Sequence, residues 1–113
     1  MYYLKIYVLK NCGYCSLALK ILKSNMNKKV KLEVININDK DKNKYKTKEI
    51  STFPQIYLKK NNSKGSVLLG GYTDIKNIIN KINFDLDDLF KFIKKSNNNL
   101  SKKAVLRIIE IFS

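Results

Sequence analysis

The sequence predicts an α/β domain: a four-stranded mixed sheet flanked by helices, with a short extra helix at the C-terminus. Two observations point there. Up to Ile37, segments with strand-like and helical apolar spacing alternate, as in a βαβ unit. After a lysine-rich stretch, two short strand-like segments flank a cluster of turn-forming residues, which adds a hairpin. The rest of the chain reads as helices, giving the order β-α-β-α-β-β-α-α-α without an internal repeat.

Tyr2 to Leu9 is rich in β-branched and aromatic residues with apolar side chains at both parities, so a strand buried on both faces is expected. From Tyr14 or Cys15 to about Met26 the spacing turns helical, with Leu17, Ile21 and Leu22 as the stripe and Ala18 beside them. Val30 to Ile37 alternates Val30, Leu32, Val34 and Asn36 against Lys31, Glu33, Ile35 and Ile37, a second strand. A right-handed crossover makes the two strands parallel. Asp39 to Ile50 is mostly lysine anchored by Tyr45 and Ile50, and reads equally as a short exposed helix or a solvated loop. Gln55 to Lys59 and Ser66 to Leu69 are strands joined through Asn61-Asn62-Ser63-Lys64-Gly65. Gly70-Gly71 ends the second, and Thr73 or Asp74 caps a helix reaching about Lys81. Phe84 to Lys95 carries Leu86, Leu89, Phe90 and Ile93 on one stripe, with Asp85, Asp87 and Asp88 at the positive end of the helix. After a polar break at Ser96–Asn99, Ser101 caps a last helix with Val105, Ile108, Ile109 and Phe112 on its face. Residues 1–95 therefore form the expected domain and residues 96–113 a helical extension.

At 113 residues the chain is long enough for one domain with a core of its own. Its net charge of +14 is almost all lysine, with Arg107 the only arginine. Lys, Asn and Ile are all abundant, a compositional bias rather than a recognition signature, and arginine, the preferred fork for phosphate and base edges, is nearly missing. No nucleic-acid motif accompanies the charge, so no specific nucleic-acid partner is expected; acidic partners or the carboxylates of a small thiol fit it. No apolar run is long enough to span a membrane and no leader is apparent, so a reducing, cytoplasmic location without membrane contact is expected.

Cys12-Gly13-Tyr14-Cys15 holds both cysteines of the chain, at the first strand-to-helix junction. A structural zinc site needs about four N/S ligands, and there is no histidine and no further cysteine. Covalent c-type haem needs His after the second Cys, where Ser16 stands. A disulfide across two residues closes too small a loop to restrain the unfolded chain. A reversible dithiol remains, against the plainer alternative of two thiols packed as small hydrophobes. At a helix start the first sulfur faces unpaired N–H groups and the positive dipole end, so Cys12 is the attacking thiolate and Cys15 the resolving one. Lys10 adds charge nearby, or is simply a solvated strand-end lysine. Tyr14 sets a ring and hydroxyl beside the sulfur, or merely packs.

Thr52-Phe53-Pro54-Gln55 contains the only proline, just before a strand. A cis bond there turns the backbone of Phe53 towards an extended ligand; a trans proline opening an edge strand is the alternative. Gly70-Gly71-Tyr72-Thr73-Asp74 exposes backbone amides suited to a carboxylate at a helix start, or is an ordinary turn and cap.

Taken together, Cys12-Gly13-Tyr14-Cys15, Thr52-Phe53-Pro54-Gln55-Ile56 and Gly70-Gly71-Tyr72-Thr73-Asp74 resemble a classical dithiol glutaredoxin over about Leu4 to Lys95. The resemblance implies a thioredoxin fold with a cis proline facing the dithiol, and glutathione as co-substrate. It makes Cys12 the sulfur that forms a mixed disulfide with glutathione and Cys15 the one that resolves protein disulfides. Lys10, Tyr14, Thr52, Phe53, Pro54, Gly71, Tyr72, Thr73 and Asp74 would form the glutathione site, Phe53 pairing with the cysteinyl part and Thr73 and Asp74 holding the γ-glutamyl end. Partners would be disulfide-containing or glutathionylated proteins. Three departures stand out. Leu9 occupies the usual basic position, leaving Lys10, or Lys46 or Lys48, to supply charge. Gly13 replaces the usual proline, which in related glutaredoxins is compatible with a glutathione-ligated [2Fe–2S] cluster held through Cys12 and bridging two subunits of an otherwise monomeric protein. The helix after Asn99 has no counterpart.

Overall fold

In the computed structural model, which describes residues 2–61, 65–82, 91 and 102–112, a single sheet carries the fold. Strands β1 (Tyr2–Leu9), β2 (Leu32–Ile37), β3 (Gln55–Lys60) and β4 (Ser66–Gly70) lie in the order β2-β1-β3-β4. Pairing of β1 with β2 is parallel, while β1–β3 and β3–β4 are antiparallel. The parallel pair is bridged by helix α1 (Gly13–Asn25), and the antiparallel pair β3–β4 is the expected hairpin. Helices α2 (Tyr72–Ile82) and α3 (Lys102–Ile111) complete a thioredoxin-type arrangement with one added helix. The expected helix from Phe84 to Lys95 lies outside the described residues, apart from Lys91, as does the capping residue Ser101.

Strand parity decides where the core sits. Leu4, Ile6 and Val8 of β1 are buried and lie on the face shared with Leu58 and Ile56 of β3 and Leu32 and Val34 of β2. Against this face pack Cys15, Ala18 and Leu22 of α1, Ile75, Ile78 and Ile79 of α2, and Val105, Ile108 and Ile111 of α3. The added helix is thus part of the same core, tied at its end by a hydrogen bond from the Asn27 N–H to the Ile111 carbonyl at 2.6 Å.

Four expectations are corrected and one open alternative is resolved. The buried stripe of α1 is Cys15, Ala18 and Leu22, and Leu17 is 46 % exposed, because the helix starts at Gly13 and turns Cys15 inward. The strand β1 is fully buried on one face only: Tyr3, Lys5 and Tyr7 are half-covered, since among the described residues their side is roofed by no more than a 3-10 helix, Asp39–Tyr45. That short helix answers the lysine-rich segment, of which Lys46 to Ile50 is irregular. The second strand begins at Leu32, Val30 being held in a turn by the Asn27 carbonyl. Finally, α2 starts at Tyr72, so Gly71 is its cap, and Asp74 acts from inside the first turn.

Candidate active site

Register alone brings the three sequence motifs together. In the β1–β3 ladder Tyr7 lies opposite Gln55, which sets Pro54 beside the C-terminal end of β1, where the chain turns into Cys12. In the β3–β4 ladder Ile56 lies opposite Gly70, which sets Gly71 beside Pro54. A Cβ on Gly71 would stand 3.4 Å from the Pro54 carbonyl oxygen. The Phe53–Pro54 peptide is cis, as the motif anticipates.

The turn into α1 is made by Asn11 in the left-handed region, φ 59°, a conformation asparagine tolerates better than most residues. Cys12 then takes extended backbone as the N-cap of α1, and its Sγ accepts the Cys15 N–H at 3.1 Å. This is the place of a capping oxygen, filled by sulfur, and the same N–H groups and helix dipole stabilise a thiolate there. Cys12 is half-buried and Cys15 is buried, their Cα atoms are 5.1 Å apart, and the two are joined as a disulfide. Cys12 Sγ also lies 3.9 Å from the Phe53 carbonyl oxygen. Gly13 is exposed, with open space where a Cβ would be.

Around this pair, Tyr14 is 64 % exposed, and its ring centroid is 6.0 Å from that of Tyr72. Asp74 Oδ2 accepts the Gly71 N–H at 2.9 Å, so the third residue of α2 reaches back to the cap, one half of a capping box. Thr73 is exposed at the same helix start. Thr52 is exposed beside half-buried Phe53, and Pro54 is buried. Lys10 is exposed on the turn before Cys12, and Lys46 and Lys48 are exposed on the irregular segment after the 3-10 helix. The geometry therefore gathers Cys12, Cys15, Phe53, Pro54, Gly71 and Asp74 by direct approach, and Tyr14 with Tyr72. It leaves these three lysines as surface charge.

Two contributors escape a reading of the sequence alone. Asn11 is hard to separate from other asparagines in so Asn-rich a chain. Gly70 adopts φ +115°, and a Cβ there would overlap the Asp74 carboxylate, so the first glycine of the pair, not the second, is the one without a substitute. A Gly-Gly pair does not disclose that division.

The chain's own donors do not make up an iron–sulfur ligand set. It has two cysteines and no histidine, and among the described residues no three Cys, His, Asp or Glu converge. A [2Fe–2S] cluster takes four such ligands, so one chain's residues would not hold it alone; the glutathione-ligated form would draw on Cys12 of two copies and on two glutathione thiolates. Among the described residues no helix is long and apolar enough to cross a membrane.

Among known families, the glutaredoxin family model aligns with residues 2–61, just over half of the 113 residues. No curated protein matches the chain. The matched span includes the dithiol and the cis proline, and stops short of Gly70 to Asp74. With a half-buried Cys12 and a buried Cys15 paired at a helix start, in a sheet whose register sets a cis proline beside them, the chain belongs to the glutaredoxin family and is a dithiol oxidoreductase of that kind.

Proposed function

We propose that the protein reduces protein disulfides and glutathione mixed disulfides at the expense of glutathione. The carrying observation is Cys12 Sγ at the N-terminus of α1, 3.9 Å from the Phe53 carbonyl, with Gly71 against the Pro54 carbonyl and Asp74 bonded to the Gly71 N–H. Glutathione is a short peptide with a carboxylate at each end and an ammonium group. The Phe53 backbone offers its cysteinyl part the pairing that an edge strand offers an extended peptide. The start of α2 presents N–H groups to the γ-glutamyl carboxylate, and Asp74 retains free lone pairs for the ammonium. Tyr14 and Tyr72, whose rings lie 6.0 Å apart, would border the bound glutathione, and the exposed Lys10, Thr52 and Thr73 would meet it from solvent.

In the reaction the Cys12 thiolate attacks the glutathione sulfur of a mixed disulfide. That S–S bond breaks, the substrate leaves as thiolate and takes up a proton, and a Cys12–glutathione disulfide forms. A second glutathione thiolate attacks the bound glutathione sulfur, giving glutathione disulfide and returning Cys12. With a protein disulfide as substrate, Cys12 first bonds to one substrate sulfur. Cys15 then attacks Cys12, releasing reduced substrate and leaving the Cys12–Cys15 disulfide, which two glutathiones reduce. Each cycle moves two electrons. Disulfide-containing or glutathionylated proteins in a reducing, cytoplasmic compartment are the corresponding partners.

The test is a pair of variants assayed on both substrate types. Cys12→Ser is expected to lose both activities, and Cys15→Ser to keep deglutathionylation while losing protein-disulfide reduction. Full deglutathionylation by Cys12→Ser would end this reading.

A further inference from the structure

The face of the sheet opposite the three helices carries a concave site. Tyr3, Lys5 and Tyr7 of β1 and Tyr57 and Lys59 of β3 fall on this side by parity, with Lys5 opposite Tyr57 and Tyr3 opposite Lys59. The 3-10 helix roofs one edge of it. Gln55 Nε2 donates to the Tyr45 carbonyl at 2.8 Å, which fixes the end of that helix on the sheet. Between them lies a cleft of about 250 Å³. Its walls include Tyr7, Tyr45 and Tyr57 and the lysines Lys5, Lys44 and Lys59, and the other lining residues are uncharged and hydrogen-bonding. No carboxylate lines it among the described residues.

We propose that this cleft binds a small phosphate ester carrying a planar ring, of which a nucleoside monophosphate is the common form. The ring requirement follows from the walls. Tyr45 lies tilted at 42° and Tyr57 edge-on at 79° to the Tyr7 ring, with centroids 5.1 and 5.8 Å away, so aromatic walls of different orientation are in place before any ligand arrives. The phosphate requirement follows from the donors. Ammonium and hydroxyl groups converge with no carboxylate among the described lining residues, Glu49 acting on the Tyr57 hydroxyl from outside the lining, and a doubly charged oxyanion satisfies several at once. Glu33, 3.2 Å from Lys5, and Asp41, 3.3 Å from Lys44, pair with two of the lysines from outside the lining. Lys59 takes part in none of the ion pairs among the described residues and is the primary phosphate contact. Size sets the limit: the volume falls just below the roughly 300–1,000 Å³ of sites for drug-sized ligands, which suits a mononucleotide and not a dinucleotide. The site is on the other face of the sheet from Cys12 and does not depend on the glutathione reading.

The experiment titrates the full chain with adenosine monophosphate, phenyl phosphate, adenosine and inorganic phosphate at physiological salt, followed by NMR. Both phosphate esters are expected to shift the signals of Tyr7, Tyr45 and Tyr57, with adenosine and inorganic phosphate each binding at least about tenfold more weakly. Lys59→Gln should weaken adenosine monophosphate about tenfold, whereas Lys23→Gln, the same charge change on α1, should leave it unaltered. Equal loss with Lys23→Gln, equal binding of inorganic phosphate, or binding of an oligonucleotide without the monophosphate would each overturn the proposal. The tyrosine shifts are read on the unmodified protein, so they decide the matter even where a variant fails to fold.

Discussion

A side chain at position 70 would have to share space with the Asp74 carboxylate while the backbone holds φ at +115°. Both demands act on one atom, so Gly70→Ala is expected to destabilise the fold by about 1–3 kcal/mol, measured by urea denaturation. Gly71→Ala, whose Cβ would meet the Pro54 carbonyl at 3.4 Å, should cost less. At this scale the chemistry-bearing residues are legible in the sequence because they are scarce: two cysteines and one proline leave few alternatives. Positions that depend on backbone angle are not. Nothing in the composition separates Asn11 from its many neighbours of the same type, or Gly70 from Gly71. Helical spacing alone turns Leu17 inward, but Cys15 takes that face once Cys12 becomes the cap.

Among the elements, α3 behaves as part of the domain. Val105, Ile108 and Ile111 are buried in the same cluster as Leu4 and Leu22, and Arg107 lies over the Tyr2 ring at 5.0 Å while pairing with Glu110 at 2.9 Å. Ile108→Ala is therefore expected to cost about 2–5 kcal/mol in thermal or urea unfolding, as for a core residue. Arg107→Ala, an exposed pair, should cost under about 1 kcal/mol. The helical spacing of Val105 and Ile108 discloses the element, but not what it covers. A helix face shows that it is apolar, and only the assembled sheet shows which gap it fills. The βαβ unit and the hairpin are legible for the opposite reason: short connections leave few topologies. The lysine-rich segment is ambiguous because its two anchors, Tyr45 and Ile50, are not at helical spacing, and a 3-10 helix satisfies it in part.

For the molecule as a whole, two groups on the second sheet face link stability to alkaline pH. Burial raises the Tyr57 hydroxyl above its usual value, helped by Tyr7 and Glu49. For Lys5, burial pulls the ammonium down, but the hydrogen bond to Glu33 and the neighbouring Tyr7 and Glu33 charges outweigh it and leave it raised. In both cases the folded state holds its proton to higher pH than the unfolded chain. The stabilisation is complete below about pH 10 and is lost as pH rises beyond it. Tyr57→Phe should flatten that alkaline decline in a pH series of unfolding midpoints; an unchanged slope would remove Tyr57 from the account. The net charge of +14, legible at once, says only that acidic partners are favoured, since lysines are spread over the whole chain.

The proposed role of Cys12, as the sulfur that receives glutathione, rests on the convergence of the three motifs. Intact-mass analysis of Cys15→Ser exposed to glutathione disulfide measures this directly. One glutathione per chain, mapped to Cys12, is the expected result, with Cys12→Ser taking up far less on its buried Cys15. Equal or faster capture by Cys15 in Cys12→Ser would contradict the account.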